Sequence, residues 1–194
     1  MRPPHHSGLT VPELLVILCI IATFIFFAMP QNGSHLVQAQ ATQALSNMKQ
    51  LYLSTQVMAQ DGLATGGTGL AWPGDSGGTF TNWMTQLVPA YLTTNDFCKL
   101  VSVAGRITPQ GALPMANTNG VLVYAVGTNS PAHTVFLTTA NYLNDPKGGA
   151  FNPKIPLFAN RGFVVFWKNG SGAVLTNQLA GKPEAVGSFV PLCQ

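Results

Sequence analysis

One carboxylate, Glu13, stands at the front edge of sixteen uncharged residues, Leu14 to Met29 (LLVILCIIATFIFFAM). An acid at the mouth of an apolar helix is costly to keep away from water, so it needs a reason to be there. Two kinds of chemistry suit it: an ion pair with a cation, or a cap at the helix start, where the helix dipole favours negative charge. Gly8 is the small residue placed for a processing cut, and it lies before the apolar run rather than after it. A cut there leaves the run on the mature protein and frees an α-amine at Leu9. A secretory signal peptide needs its small-residue site after the apolar stretch. Phe26-Phe27-Ala28-Met29-Pro30-Gln31 supplies only a poor one, and bulky Leu18 before Cys19 argues against a lipoprotein site.

The element that positions these groups is a helix. Leu9 to Met29 is twenty-one residues, or ~30 Å at ~1.5 Å per residue, which equals the ~30 Å thickness of a hydrocarbon core. Pro12 falls in the first turn, where its missing N–H costs little. Pro30 closes the run and is expected to kink the helix.

Gly8-Leu9-Thr10-Val11-Pro12-Glu13-Leu14-Leu15-Val16, followed by the apolar run, resembles the prepilin cleavage and methylation motif of type IV pilins and type II secretion pseudopilins. The resemblance covers roughly residues 8 to 30. It implies a leader over 1–8, cleavage by prepilin peptidase between Gly8 and Leu9, and N-methylation of Leu9. It also implies that Glu13 is the retained carboxylate used in subunit assembly, and that Pro30 is the helix-breaking proline. Leu9 stands where phenylalanine is usual in the family, and Pro12 where an aliphatic residue is. The implied partners are copies of the chain and related pilins, packed through their N-terminal helices, with the prepilin peptidase, an inner-membrane assembly platform and membrane lipid. The implied location is the bacterial inner membrane, single-pass with the head in the periplasm, and then the pilus or pseudopilus. A buried carboxylate seeks a cation, and the Leu9 α-amine of a neighbouring subunit would supply one and so set the axial register. A single-pass membrane-anchored module, whose head recognises a ligand or a secretion substrate, is the alternative.

Beyond Asn32-Gly33-Ser34, His35 to Gln60 places Leu36, Val37, Ala41, Ala44, Leu45, Met48, Leu51, Tyr52, Thr55, Val57 and Met58 at three- and four-residue steps, an amphipathic helix pattern. Asp61-Gly62 reads as its stop. One long helix from about Thr10 to Gln60, bent near Pro30 to Gly33, is therefore expected: a transmembrane or filament-core half over 9–30 and an amphipathic half over 31–60. The head follows over 61–194. It begins with a glycine-rich loop over 62–79 and a short helix over Phe80 to Leu92, capped at Thr81 or Asn82 and ended at Pro89. A second short segment runs from Asn95 to Val103. Strands are expected over 121–126, 134–139, 162–166 and 173–176, with Val186 to Leu192 as a last edge strand and Asn169-Gly170 as a hairpin turn. The fold class is α+β: a pilin-like long N-terminal helix packed on a small antiparallel sheet.

Little else in the chain suggests catalysis, and no enzyme is expected. The acids are spread singly, and the histidines are scattered. Gly74-Asp75-Ser76-Gly77-Gly78 is similar to a serine-protease nucleophile loop, but the only upstream histidines are His5, His6 and His35, in a leader and a helix. There is no CxxC, and Asp145 with Asn141 and Asn144 is too sparse an oxygen set for calcium, so no metal or cofactor is expected. The 194 residues are only 8% charged, with a formal charge of +3 and no basic stripe, which leaves no electrostatic footprint for nucleic acid. Cys19 lies in the apolar run. Cys98 and Cys193 lie in a head that would meet an oxidising compartment. They form either a disulfide closing a loop of about 95 residues, worth ~4 kcal/mol in the chain-entropy account, or two unpaired thiols, one buried near Phe97 and one at a frayed tail.

Overall fold

The structure is a computed structural model that describes residues 11–28, 33–66, 70–104, 120–145, 148–188 and 190–193. The chain divides into two compact units, residues 1–36 and residues 37–194. The first contains helix α1, Val11–Ala28. Helix α2, Gly33–Ala64, lies almost wholly in the second. Residues 29–32, with the expected kink at Pro30, lie outside the described residues.

From Val37 onward α2 is the spine of the head. Ala41, Ala44, Met48, Leu51, Thr55 and Met58 are buried, and their spacing of three and four draws one stripe down the helix. Thr55 can sit in that stripe because its hydroxyl donates to Leu51 O at 2.8 Å, which satisfies a buried polar atom. Leu36 and Val57, counted as apolar-face positions in the sequence, are 61% and 49% exposed. The helix also runs past Asp61-Gly62. Asp61 accepts a hydrogen bond from Tyr91 Oη at 2.9 Å instead of ending the helix. Gly62 is held in the last turns by a close approach: a Cβ there would collide with the Leu70 backbone. The stop is Gly66, at φ 79°, a left-handed conformation that glycine adopts without strain.

Helix α3, Phe80–Leu87, is capped by Thr79, whose Oγ1 accepts from Asn82 N–H at 3.3 Å. The cap is therefore two residues before Thr81 and three before Asn82, the positions expected from the sequence. Helix α4, Thr94–Val101, is capped by Thr93, which bonds Asp96 in both directions: Asp96 N–H donates to Thr93 Oγ1 at 3.1 Å and Thr93 Oγ1 donates to Asp96 Oδ2 at 2.7 Å. This reciprocal arrangement is a capping box in miniature. Phe80, Trp83, Met84 and Leu87 of α3, and Phe97, Leu100 and Val101 of α4, turn inward.

Among the described residues, six strands follow: β1 Val121–Val123, β2 Val135–Thr139, β3 Tyr142–Asp145, β4 Gly148–Phe151, β5 Gly162–Trp167 and β6 Gly172–Thr176. Four form an antiparallel sheet in the order β1-β2-β5-β6, and β3 and β4 make a separate hairpin. The β5–β6 turn forms at the expected Asn169-Gly170, with Gly170 at φ 82° and packed against the Tyr52 ring. Val186 to Leu192 does not form the expected edge strand. Pro191 lacks an N–H to donate, and the segment contributes single bridges, Thr134 to Ser188 and Tyr124 to Leu192. Ala125 N–H donates to Pro191 O at 2.8 Å and Cys193 N–H to Val123 O at 2.9 Å. The C-terminal segment thereby covers the β1 edge, which would otherwise offer unpaired backbone groups.

Candidate functional site

Every described side chain of α1 from Val11 to Phe24 is exposed, with the large apolar ones ranging from 45% at Ile17 to 79% at Val11. Among the described residues, Val37 is the first that packs against the head's hydrophobic core. Glu13 lies in the first turn, where the dipole favours a negative charge. Within α1 the one polar side chain on the apolar stretch is neutralised locally: Thr23 Oγ1 donates to Cys19 O at 2.7 Å. Among the described residues no helix is long and apolar enough to cross a membrane. The 18 residues of α1 span ~27 Å at ~1.5 Å each, and Leu9, Thr10 and Met29, which would complete the expected span, lie outside the described set. So do Gly8 and Pro30.

No known protein family, characterised protein or solved structure matches this chain. The site is therefore assigned from its own residues.

The Gly74–Gly78 loop is a structural clamp. Asp75 Oδ2 accepts from Thr128 N–H at 2.6 Å and from Thr128 Oγ1 at 2.7 Å. Lys168 Nζ donates to Ser130 O at 2.7 Å and also to Thr128 O. Burial lowers the Lys168 pKa, and Asp75 pulls it back up. Gly127 leaves room for the Asp75 carboxylate, which a Cβ at that position would crowd. Ser76 Oγ donates to Pro73 O at 3.0 Å, so the hydroxyl is spent on a turn and not on a base. His133, the histidine of the strand region, instead packs edge-on against Trp167. Thr128 and Lys168 had no motif to announce them. The only trace was the Gly127-Thr128-Asn129-Ser130-Pro131 turn composition.

No Cys98–Cys193 disulfide is formed; both residues are buried, and Cys193 is a thiol. Cys193 belongs to the apolar core, and Cys98, on α4, is buried and borders the groove described below. Burial pushes the Cys193 thiol from 9.0 up to about 12. Because the folded pKa is raised, the stability this thiol contributes is full below about pH 9 and is lost as pH climbs toward 12. At pH 8 Cys193 is expected to resist alkylation in the folded head and react fully in denaturant. A reductant is expected to leave the head's melting temperature unchanged. A drop of several degrees on reduction would reveal a bond between the two sulfurs.

A groove of about 670 Å³ lies between α2 and α4, bordered by Gln40, Gln43, Asn47 and Gln50 on one wall and Asp96 and Lys99 on the other. Asn47 Nδ2 donates across it to Lys99 O at 3.4 Å. Amide side chains at helical spacing give it donors and acceptors, and Cys98 and Ser102 also border it. The sequence did carry this signal, as glutamines and asparagine on one helix face. Among the described residues no three His, Cys, Asp or Glu side chains gather into a metal site.

Proposed function

We propose that the chain is a structural subunit of a type II secretion pseudopilus or a type IV pilus-like filament, cut after Gly8 by prepilin peptidase and assembled through its N-terminal helix. The observation that carries this reading is the contrast between the two units. The head buries a complete core of its own, while α1 exposes a continuous apolar surface behind a single acid. So large an exposed apolar surface on a soluble body marks an interaction or membrane site. A pilin-like arrangement fits both the α2 spine under the four-stranded sheet and the Gly8 to Glu13 spacing. On this reading α1, completed by its flanking residues, first holds the subunit in the inner membrane. It then transfers to the filament core, where Glu13 meets the Leu9 α-amine of a neighbour. Methylation of that amine retains its positive charge, so the pairing survives the modification. The test is filament incorporation of Glu13 variants, set out in the Discussion.

The groove between α2 and α4 favours one addition to this reading. An amide-lined cleft of its size suits a hydrogen-bonding ligand, which would make the head a recognition module carried on the same stalk. Blocking the groove by Gln43→Trp would then weaken ligand capture without changing filament formation.

A further inference from the structure

One wall of the groove between α2 and α4 is built of carboxamides. Gln40, Gln43, Asn47 and Gln50 border it at steps of three, four and three, so they share one face of α2. Asn47 Nδ2 reaches across to Lys99 O. Among the described residues no hydrogen bond engages the side chains of Gln40, Gln43 or Gln50. Each carboxamide holds N–H donors and a carbonyl acceptor in one plane, the same equipment as a peptide group. A ligand for this wall must offer donors and acceptors in alternation, to replace the water it displaces.

The rest of the groove narrows the class. Among the described residues that border it, the only charges are Asp96 and Lys99. They lie 3.7 Å apart and are both exposed, so they offset each other and draw neither a phosphate nor an ammonium ion strongly. None of those bordering residues is aromatic, so a sugar ring has no flat apolar face to stack on. A helical partner has its main-chain groups already paired and would leave the amide wall unanswered. An extended chain answers it. Gln40 and Gln50 are ten positions apart, a rise of ~15 Å, or about four or five extended residues at ~3.3 Å each. The base of the groove is apolar, with Ala44, Leu100 and Val103 all buried. An extended chain turns successive side chains to opposite faces, so alternate small apolar residues can rest on that base while the main chain runs along the amides.

We infer that the groove binds an extended, uncharged segment of a partner polypeptide, held through its main chain by Gln40, Gln43 and Gln50. This names the ligand class of the recognition surface proposed above and rests on that reading of the groove; it requires nothing of α1. Carboxamides read N–H and C=O groups that every residue carries, so binding depends on extension and neutrality more than on sequence.

The test is fluorescence anisotropy with the full-length chain in detergent. The probe is an end-blocked, fluorescein-labelled octapeptide of alternating serine and valine. Saturable binding is expected. It should weaken about tenfold when alternate main-chain nitrogens of the probe are methylated, and about tenfold in the double variant Gln43→Ala/Gln50→Ala. Both glutamines are exposed and alanine favours helix, so the variant should keep the head's melting temperature. Probes with aspartate or lysine in place of serine should bind no more tightly than the neutral one. No saturable binding of the neutral probe would overturn the inference. So would equal affinity of the methylated probe, undiminished binding by the double variant, or tighter binding of either charged probe. Labelled maltohexaose separates the two levels of the proposal. If it bound through Gln43 and Gln50 while the peptide did not, the peptide assignment would fall and the groove would stand as a recognition surface. If neither bound, both would fall.

Discussion

Replacing Glu13 with alanine should remove the subunit from filaments while leaving the head's melting temperature where it was. Two magnitudes separate the assembly role from a helix cap. Removing one partner of a buried ion pair strands the other charge and costs ~3–5 kcal/mol, which lowers incorporation by more than about a hundredfold. Losing a favourable dipole interaction costs ~1 kcal/mol or less at an exposed helix start, about fivefold. Glu13→Gln distinguishes them further: it keeps the size and hydrogen-bonding capacity but has no charge, and it should fail almost as badly as alanine. The measurement is the ratio of variant to wild-type subunit in sheared filaments when the two are co-expressed. The head provides the control, because among the described residues its core begins at Val37. Wild-type levels of Glu13→Ala in filaments would eliminate the ion pair.

The second large effect lies inside the head, at Trp83. This side chain is fully buried, and its ring lies 5.8 Å from Phe80, 5.8 Å from Phe97 and 6.2 Å from Phe136, the last at 89°. It therefore joins α3 and α4 to the central strand β2. Trp83→Ala should destabilise the head by ~3–5 kcal/mol, lowering its melting temperature by about 6–20 °C. Trp83→Phe should cost far less. The indole Nε1 is buried without a hydrogen-bond partner, so phenylalanine discards an unsatisfied donor along with part of the ring. Denaturant titration of the three proteins measures both steps. Equal losses for alanine and phenylalanine would show that Nε1 has a partner after all.

How much of this was legible in the residues varies by element, for physical reasons. The strands rich in β-branched and aromatic residues, Val121–Val123, Val135–Thr139 and Gly162–Trp167, announce themselves by composition, as does the Asn169-Gly170 turn. The β3–β4 hairpin did not. Tyr142–Asp145 and Gly148–Phe151 carry asparagine, aspartate and glycines, which are poor strand residues, and Pro146 sits between them. The end of α2 was misplaced because Asp61-Gly62 looks like a stop, while its reason for being glycine, the approach of Leu70, is a contact between segments that no local pattern records. Asp75 was conspicuous for the wrong reason: the loop resembling a nucleophile site is a staple to Thr128. The assembly site stands differently. Gly8, Leu9 and Glu13 carry the proposed assembly role through their spacing in the sequence, which needs no tertiary contact to be read.

The account rests on the apolar helix being kept, not removed, when the protein matures. Mass spectrometry of the N-terminal peptide from the assembled or membrane-extracted protein measures this directly. The result expected is a peptide beginning at Leu9 with a single methyl group on its α-amine. A mature protein beginning at Gln31 or later, with α1 cut away, would contradict it.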